Sequence, residues 1–126
     1  MVASPRFVAL FDRKCSWWSP DAEDPAYALL HEQVHFAIAE YAARTLTAEI
    51  RGKGRAIRGY GATRDAAVAD LEQSLQRLVS RAKWAARREH DAFDSETLRD
   101  RSPAVQERWI QLYEKRLGVN FSSPAP

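Results

Sequence analysis

The chain has 126 residues, of which 45% are apolar, and its formal net charge is +2. This length and apolar content predict one small domain, residues 1–126, with a single hydrophobic core. The near-neutral charge does not favour a nucleic-acid-binding protein. No stretch reaches the roughly 18 consecutive apolar residues of a membrane-spanning helix, and the single cysteine excludes an internal disulfide.

The N-terminal residues 1–25 are expected to form an extended segment followed by a loop. Apolar and aromatic residues recur from Arg6 to Trp18, which predicts a short β strand or hairpin. Prolines and acidic residues then predict a loop up to Pro25. The segment lacks the long apolar core and small-residue cleavage site of a secretory signal peptide. The compartment therefore stays open: cytoplasmic, or exported if the sequence begins after a removed signal.

A helix is predicted over residues 26–51, where apolar residues recur at spacings of three and four. On it, His31, Glu32 and His35 form the pattern H-E-x-x-H, which is typical of zinc proteases. The two histidines lie one helical turn apart on one face, where both imidazoles can bind a single Zn²⁺ ion. Glu32 lies beside that face, where its carboxylate can take a proton from a water molecule that the ion activates. The pattern therefore predicts a zinc-dependent peptide hydrolase with Glu32 as general base.

Two further helices are predicted after this one. The glycine-rich segment Gly52–Gly61 ends the first helix and turns the chain. A second helix is expected over residues 63–93, with a threonine as its N-cap and a narrow apolar stripe. Ser102 and Pro103 suit the cap and first position of a third helix over residues 102–117. We therefore expect a mainly α protein with a short N-terminal strand or hairpin and a zincin-like three-helix core that carries H-E-x-x-H on its first long helix.

A catalytic zinc ion needs a third protein ligand and an open position for water. His90 and Asp94 are four residues apart and share a face if the second helix continues that far. Packing of the second helix along the first is expected to bring both toward the two histidines of the motif. Asp94 also suits a helix cap or a turn. Asp91 and Glu96 are further candidates for the third zinc ligand.

The run Leu29–Glu40 reads L-L-H-E-Q-V-H-F-A-I-A-E and resembles a bacterial family of uncharacterised proteins described as predicted secreted zinc-dependent proteases. In that family the core reads roughly L-x-H-E-Q-G-H-F-x-I-A-E, followed by Y-D-x-x-T-x-H-G and then Q-x-x-W. Residues 93–97 and 106–109 of this chain, F-D-S-E-T and Q-E-R-W, match the later blocks. Ser16 and Trp17 resemble the family's segment before the metal helix, so the resemblance covers most of the chain.

The resemblance implies that Asp94 is the third zinc ligand beside His31 and His35, because it falls in the block that matches D-x-x-T. It also implies that Thr97 and Gln106 orient a ligand or a substrate carbonyl. A peptide or protein is then the expected substrate, and export is expected if the chain is N-terminally truncated.

The chain departs from the family at four positions. Val34 stands where the family has Gly, Phe93 where it has Tyr, and Arg99 with Asp100 where it has His-Gly. A metal ligand or transition-state donor supplied by that family histidine is missing here. The resemblance therefore supports zinc binding more firmly than turnover, and a zinc-binding pseudoenzyme or interaction domain is the first alternative. The blandest alternative is a helix with partly exposed histidines and Glu32 paired with a neighbour.

A basic nucleic-acid-binding module is the remaining alternative. Basic residues cluster around the glycine-rich segment and on the second helix, and such a cluster can bind phosphates. Acidic residues interleave with them, as on an ordinary solvated face. The basic residues are Arg51, Lys53, Arg55, Arg58, Arg64, Arg81, Lys83, Arg87 and Arg88.

Overall fold

The computed structural model describes residues 2–9, 24–52 and 57–121. Most of these residues are helical, and the prediction of a mainly helical protein is confirmed. The helices are α1 (Pro25–Gly52), α2 (Arg64–Arg99) and α3 (Pro103–Leu117). In the described part of the chain, no helix is both long enough and apolar enough to cross a membrane.

Two short strands pair with each other. Strand β1 covers Val2–Ala3 and runs antiparallel to β2, which covers Ile57–Arg58. The prediction of a strand beginning at Arg6 is wrong for residues 6–9, which belong to no strand. The rest of that predicted strand or hairpin, with Ser16 and Trp17, lies outside the described residues.

The segment that follows β1 is held by a helix instead of a strand. The backbone N–H of Phe7 donates to Oγ1 of Thr47 on α1, at 2.9 Å. That hydroxyl in turn donates to the carbonyl of Ala43, at 2.9 Å. The backbone N–H of Phe7 thus has a side-chain acceptor and not a neighbouring strand as its partner. The alternation of apolar residues in the sequence does not reveal such a partner.

The chain forms two compact units. The first contains Met1–Val8 and Ala42–Arg87, and the second contains Ala9–Tyr41 and Arg88–Pro126. Each of the two long helices contributes one part to each unit. The expected organisation as one domain stays a prediction.

The first unit has its own buried cluster. Leu46, Ile50 and Ile57 are buried, and apolar residues of α2 at helical spacing pack against them. Gly59 lies where the chain passes close to α2: a Cβ atom there would meet the carbonyl oxygen of Ala67 at 2.1 Å. Only glycine fits this approach. The residues that pack on the cluster are Phe7, Leu71, Leu75, Leu78, Val79 and Ala82.

In the second unit, the largest fully buried side chains come from all three helices. They are Val34, Ile38, Phe93 and Tyr113. Val34 is 0% exposed and belongs to this core. The side chain directly before His35 along α1 is thus part of the packing that fixes the helix.

Helix α2 continues six residues beyond the predicted end at residue 93. Phe93 and Thr97 are both buried and lie one turn apart, so the additional turn keeps them in the core. The Thr97 hydroxyl donates to the carbonyl of Phe93 at 2.8 Å. Burial thus overrides the cap-like composition of this stretch, and Asp94 lies inside a helix.

The starts of α2 and α3 follow the predictions. The Thr63 hydroxyl accepts a hydrogen bond from the backbone N–H of Ala66, at 3.2 Å, as an N-cap does. Helix α3 begins at Pro103, directly after Ser102. Its end is marked by Gly118, whose φ of 68° is the left-handed conformation of a helix C-cap. The third helix thereby occupies the range expected from its cap and proline.

Candidate metal centre

Three side chains of the second unit converge on one point, and we call His31, His35 and Asp94 the His/Asp cluster. Both histidines lie on α1, and Asp94 lies near the end of α2. The Nε2 atoms of His31 and His35 lie 3.1 Å and 2.7 Å from the same oxygen, Oδ1 of Asp94. The three candidate ligand atoms all lie within 4.8 Å of one another. The cluster thus has the size to bind one metal ion.

The chemistry of these donors fits zinc. Two imidazole nitrogens and one carboxylate oxygen are ligands that Zn²⁺ prefers, and a tetrahedral ion separates its donors by roughly 3.3 Å. The distance from Asp94 to His31 is close to that value, and the distance to His35 is shorter and equals that of a hydrogen bond. The side chains of His31 and His35 are 23% and 21% exposed, and that of Asp94 is 55% exposed. Solvent therefore reaches the cluster, as an open coordination position requires.

His90 contacts the other side of one histidine. Its Nδ1 atom lies 2.8 Å from Nδ1 of His35, and the ring centroids are 5.0 Å apart. With a metal ion on Nε2, a neutral His35 would keep its proton on Nδ1, so that His35 would donate and His90 would accept. Burial, followed by the neighbouring His35, lowers the pKa of His90, which favours the neutral ring that can accept.

These contacts separate the candidates for the third ligand. Asp94 faces both histidines of the motif, whereas His90 faces the nitrogen of His35 that points away from Asp94. The Glu96 carboxylate accepts a hydrogen bond from Nε1 of Trp109, at 2.6 Å. Asp91 is exposed and does not belong to the cluster. The geometry therefore favours Asp94.

The aromatic ring of Phe93 supports the cluster. Its centroid lies 4.5 Å from that of His31 and 5.1 Å from that of His35. On its other side the ring meets Trp109, with centroids 5.3 Å apart. Phe93 is 0% exposed, so both imidazoles rest on a fixed apolar surface. Phe93 therefore has a packing role.

Glu32 lies in the wall of a pocket that also contains His31 and Asp94. The pocket has a volume of about 800 Å³. Glu32 is exposed, and within the described residues its carboxylate has no hydrogen-bond or ion-pair partner. Nothing in that part of the chain competes for the carboxylate that the sequence predicts to be a general base.

Thr97 and Gln106 both hydrogen-bond to backbone carbonyls, and the roles that the resemblance implies for them stay predictions. Thr97 lines the pocket, but its hydroxyl donates within α2 to the Phe93 carbonyl. Gln106 is 2% exposed, and its side-chain N–H donates to the backbone carbonyl of Tyr27, at 3.0 Å. Both side chains hold backbone around the pocket. The sequence analysis missed Tyr27 and Arg101 as pocket residues, because no pattern marks them.

No protein-family model, curated protein or solved structure matches the chain. The resemblance of three sequence blocks to the predicted secreted zinc-dependent proteases therefore stays a prediction. The functional interpretation therefore rests on the geometry of the His/Asp cluster, on the pocket beside it and on the unpaired carboxylate of Glu32.

Replacing His90 with alanine is expected to weaken zinc binding about 10–100-fold, because a partner that orients a ligand histidine typically contributes that much. His90→Gln, which keeps an acceptor, is expected to recover part of the loss. Competition with a chromophoric chelator measures the affinity. Arg87→Ala, at an exposed position of α2, is the matched control. Equal affinities for all four proteins would show that His90 does not position His35.

Proposed function

We propose that the protein is a zinc-dependent peptide hydrolase with a zincin-like architecture. In this proposal His31, His35 and Asp94 bind the ion, and Glu32 is the general base. The observation that carries it is the convergence of two Nε2 atoms on one Asp94 oxygen. The exposed, unpaired carboxylate of Glu32 in the same pocket supports it further.

The chemistry follows from the placement of these side chains. A zinc ion held by the cluster would polarise the scissile carbonyl and lower the pKa of an attacking water toward about 7. Glu32 takes the proton of that water and passes it to the leaving amine, so the carboxylate ends in its starting form. By accepting a hydrogen bond from Nδ1 of His35, His90 would keep that ring in the tautomer whose Nε2 lone pair can bind the ion.

The number of ligands favours a reaction over a purely structural role. A structural zinc site is closed by four protein ligands, whereas a catalytic site keeps a position open. Within the described residues the cluster has three members, and the carboxylate member is half-exposed. A structural site would also have no need for Glu32 beside it.

The direct test combines metal content with cleavage. Elemental analysis is expected to find about one zinc per chain, and anomalous scattering at the zinc edge is expected to locate it between the three side chains. Incubation with a mixed peptide library, followed by mass spectrometry, is expected to show cleavage that a chelator abolishes and added zinc restores. Cleavage that persists after metal removal would contradict the mechanism. Zinc binding with no cleavage of any library member would favour the pseudoenzyme.

A further inference from the structure

Arg101 brings a positive charge into the wall of the pocket that is lined by His31 and Asp94 of the His/Asp cluster. It follows the end of α2 by two residues, and it is exposed. Within the described residues it has no hydrogen bond or ion pair. Its guanidinium group is therefore available to a ligand in the pocket.

The remaining charges of the pocket make this arginine distinctive. Apart from the histidine, the other described charged residues of the wall are acidic, and two of them are engaged. Asp24 accepts the backbone N–H of Tyr27 at 3.1 Å, and Asp94 faces the two histidines. An arginine fork binds a carboxylate through two parallel hydrogen bonds, which a lone surface lysine does not reproduce. The guanidinium group of Arg101 is thus the part of the pocket wall that is suited to bind an anion.

Arg101 and Asp94 line the same pocket. An extended peptide that places one of its bonds at Asp94 can therefore reach Arg101 with another part of its chain. Leu98, which is 71% exposed, lies in the same wall and offers apolar surface to a side chain.

We propose that Arg101 binds a carboxylate of the peptide substrate, at a position away from the bond that is cleaved. This inference rests on the proposed function, because it takes the His/Asp cluster as the reacting centre. The carboxylate comes either from the C terminus of the peptide or from an acidic side chain within it. In both cases Arg101 determines specificity without touching the reacting bond.

The test measures binding in the Glu32→Gln protein, in which cleavage is not expected. The probes are three acetylated alanine-based hexapeptides: one with a free C-terminal carboxylate, one with a C-terminal amide, and one amide with an internal glutamate. Calorimetry is expected to show about tenfold tighter binding for at least one carboxylate peptide than for the neutral amide. Which peptide it is identifies the source of the carboxylate.

Two variants show whether Arg101 causes the preference. Adding Arg101→Gln is expected to remove it, and adding Arg99→Gln, the same change at an exposed position outside the pocket, is expected to leave it intact. Equal binding of the three peptides would overturn the inference. A preference for a carboxylate peptide that survives Arg101→Gln would also overturn the inference. If such a preference disappeared only when a chelator was added, the metal would be the group that binds the carboxylate.

Failure of this inference is distinct from failure of the proposed function. Suppose that the wild type, Arg101→Gln and Arg99→Gln all cleave carboxylate and amide peptides at equal, zinc-dependent rates. This result would overturn the inference about Arg101 and leave the proposed hydrolase in place. An Arg101-dependent preference in a protein that cleaves no peptide would overturn the hydrolase and leave the carboxylate site in place.

Discussion

Replacing Glu32 with glutamine is expected to lower the rate of peptide cleavage by at least about 100-fold, because a general base typically contributes 10²–10⁴-fold. Glutamine keeps the size of the side chain and removes its ability to take a proton. Zinc content is expected to stay near one per chain, since Glu32 is not a member of the His/Asp cluster. Single-turnover cleavage and elemental analysis of the same preparation measure both quantities.

The control for this substitution is Glu72→Gln, the same chemical change at an exposed position of α2 outside the pocket. It is expected to cleave at the wild-type rate. Full activity of Glu32→Gln would exclude the general-base role. Loss of zinc from Glu32→Gln would instead place that carboxylate among the groups that hold the ion.

Replacing both His31 and His35 with alanine is expected to abolish zinc binding. One carboxylate, more than half exposed, is left in the cluster, and a single exposed oxygen ligand does not compete with water for the ion. In the wild type, zinc at 100 times its dissociation constant is expected to stabilise the fold by about 2.7 kcal/mol, and in the variant by nothing measurable. Thermal unfolding with and without zinc gives the comparison.

Gln33→Ala is the matched control for the double substitution. It adds an alanine to the same turn of α1 at an exposed position, so it reports effects on the helix alone. This variant is expected to keep the stabilisation by zinc. If zinc raised the melting temperature of the double variant as much as that of the wild type, the two imidazoles would not be ligands, and their contacts with Asp94 would be ordinary hydrogen bonds.

The helices were predictable because their signals are local. Apolar residues at spacings of three and four mark α1, and Ser102 with Pro103 marks the start of α3. The end of α2 was not predictable, because the stretch with Asp94, Ser95 and Thr97 resembles a helix cap. Burial of Phe93 and Thr97, which depends on the other helices of the unit, keeps that stretch helical.

In the candidate site, too, features within one helix were predictable from the sequence, and contacts between helices were less so. His31 and His35 are placed by helical periodicity within one element, so the sequence predicts that they share a face. Packing of the two long helices predicts that His90 approaches the motif, but the contact between its Nδ1 atom and that of His35, 55 residues away, follows only from the structure. The same holds for Arg101, which reaches the pocket only because α2 continues to Arg99. Contacts between elements require the fold.

The half-exposed carboxylate of Asp94 has a consequence for metal exchange. A chelating molecule in solution can approach the ion from the carboxylate side while the imidazoles stay packed against Phe93. If the cluster binds zinc as proposed, dialysis against a chelator without denaturant is expected to remove the ion from the folded protein. Cobalt is then expected to replace it, and the visible absorption of cobalt reports the coordination number.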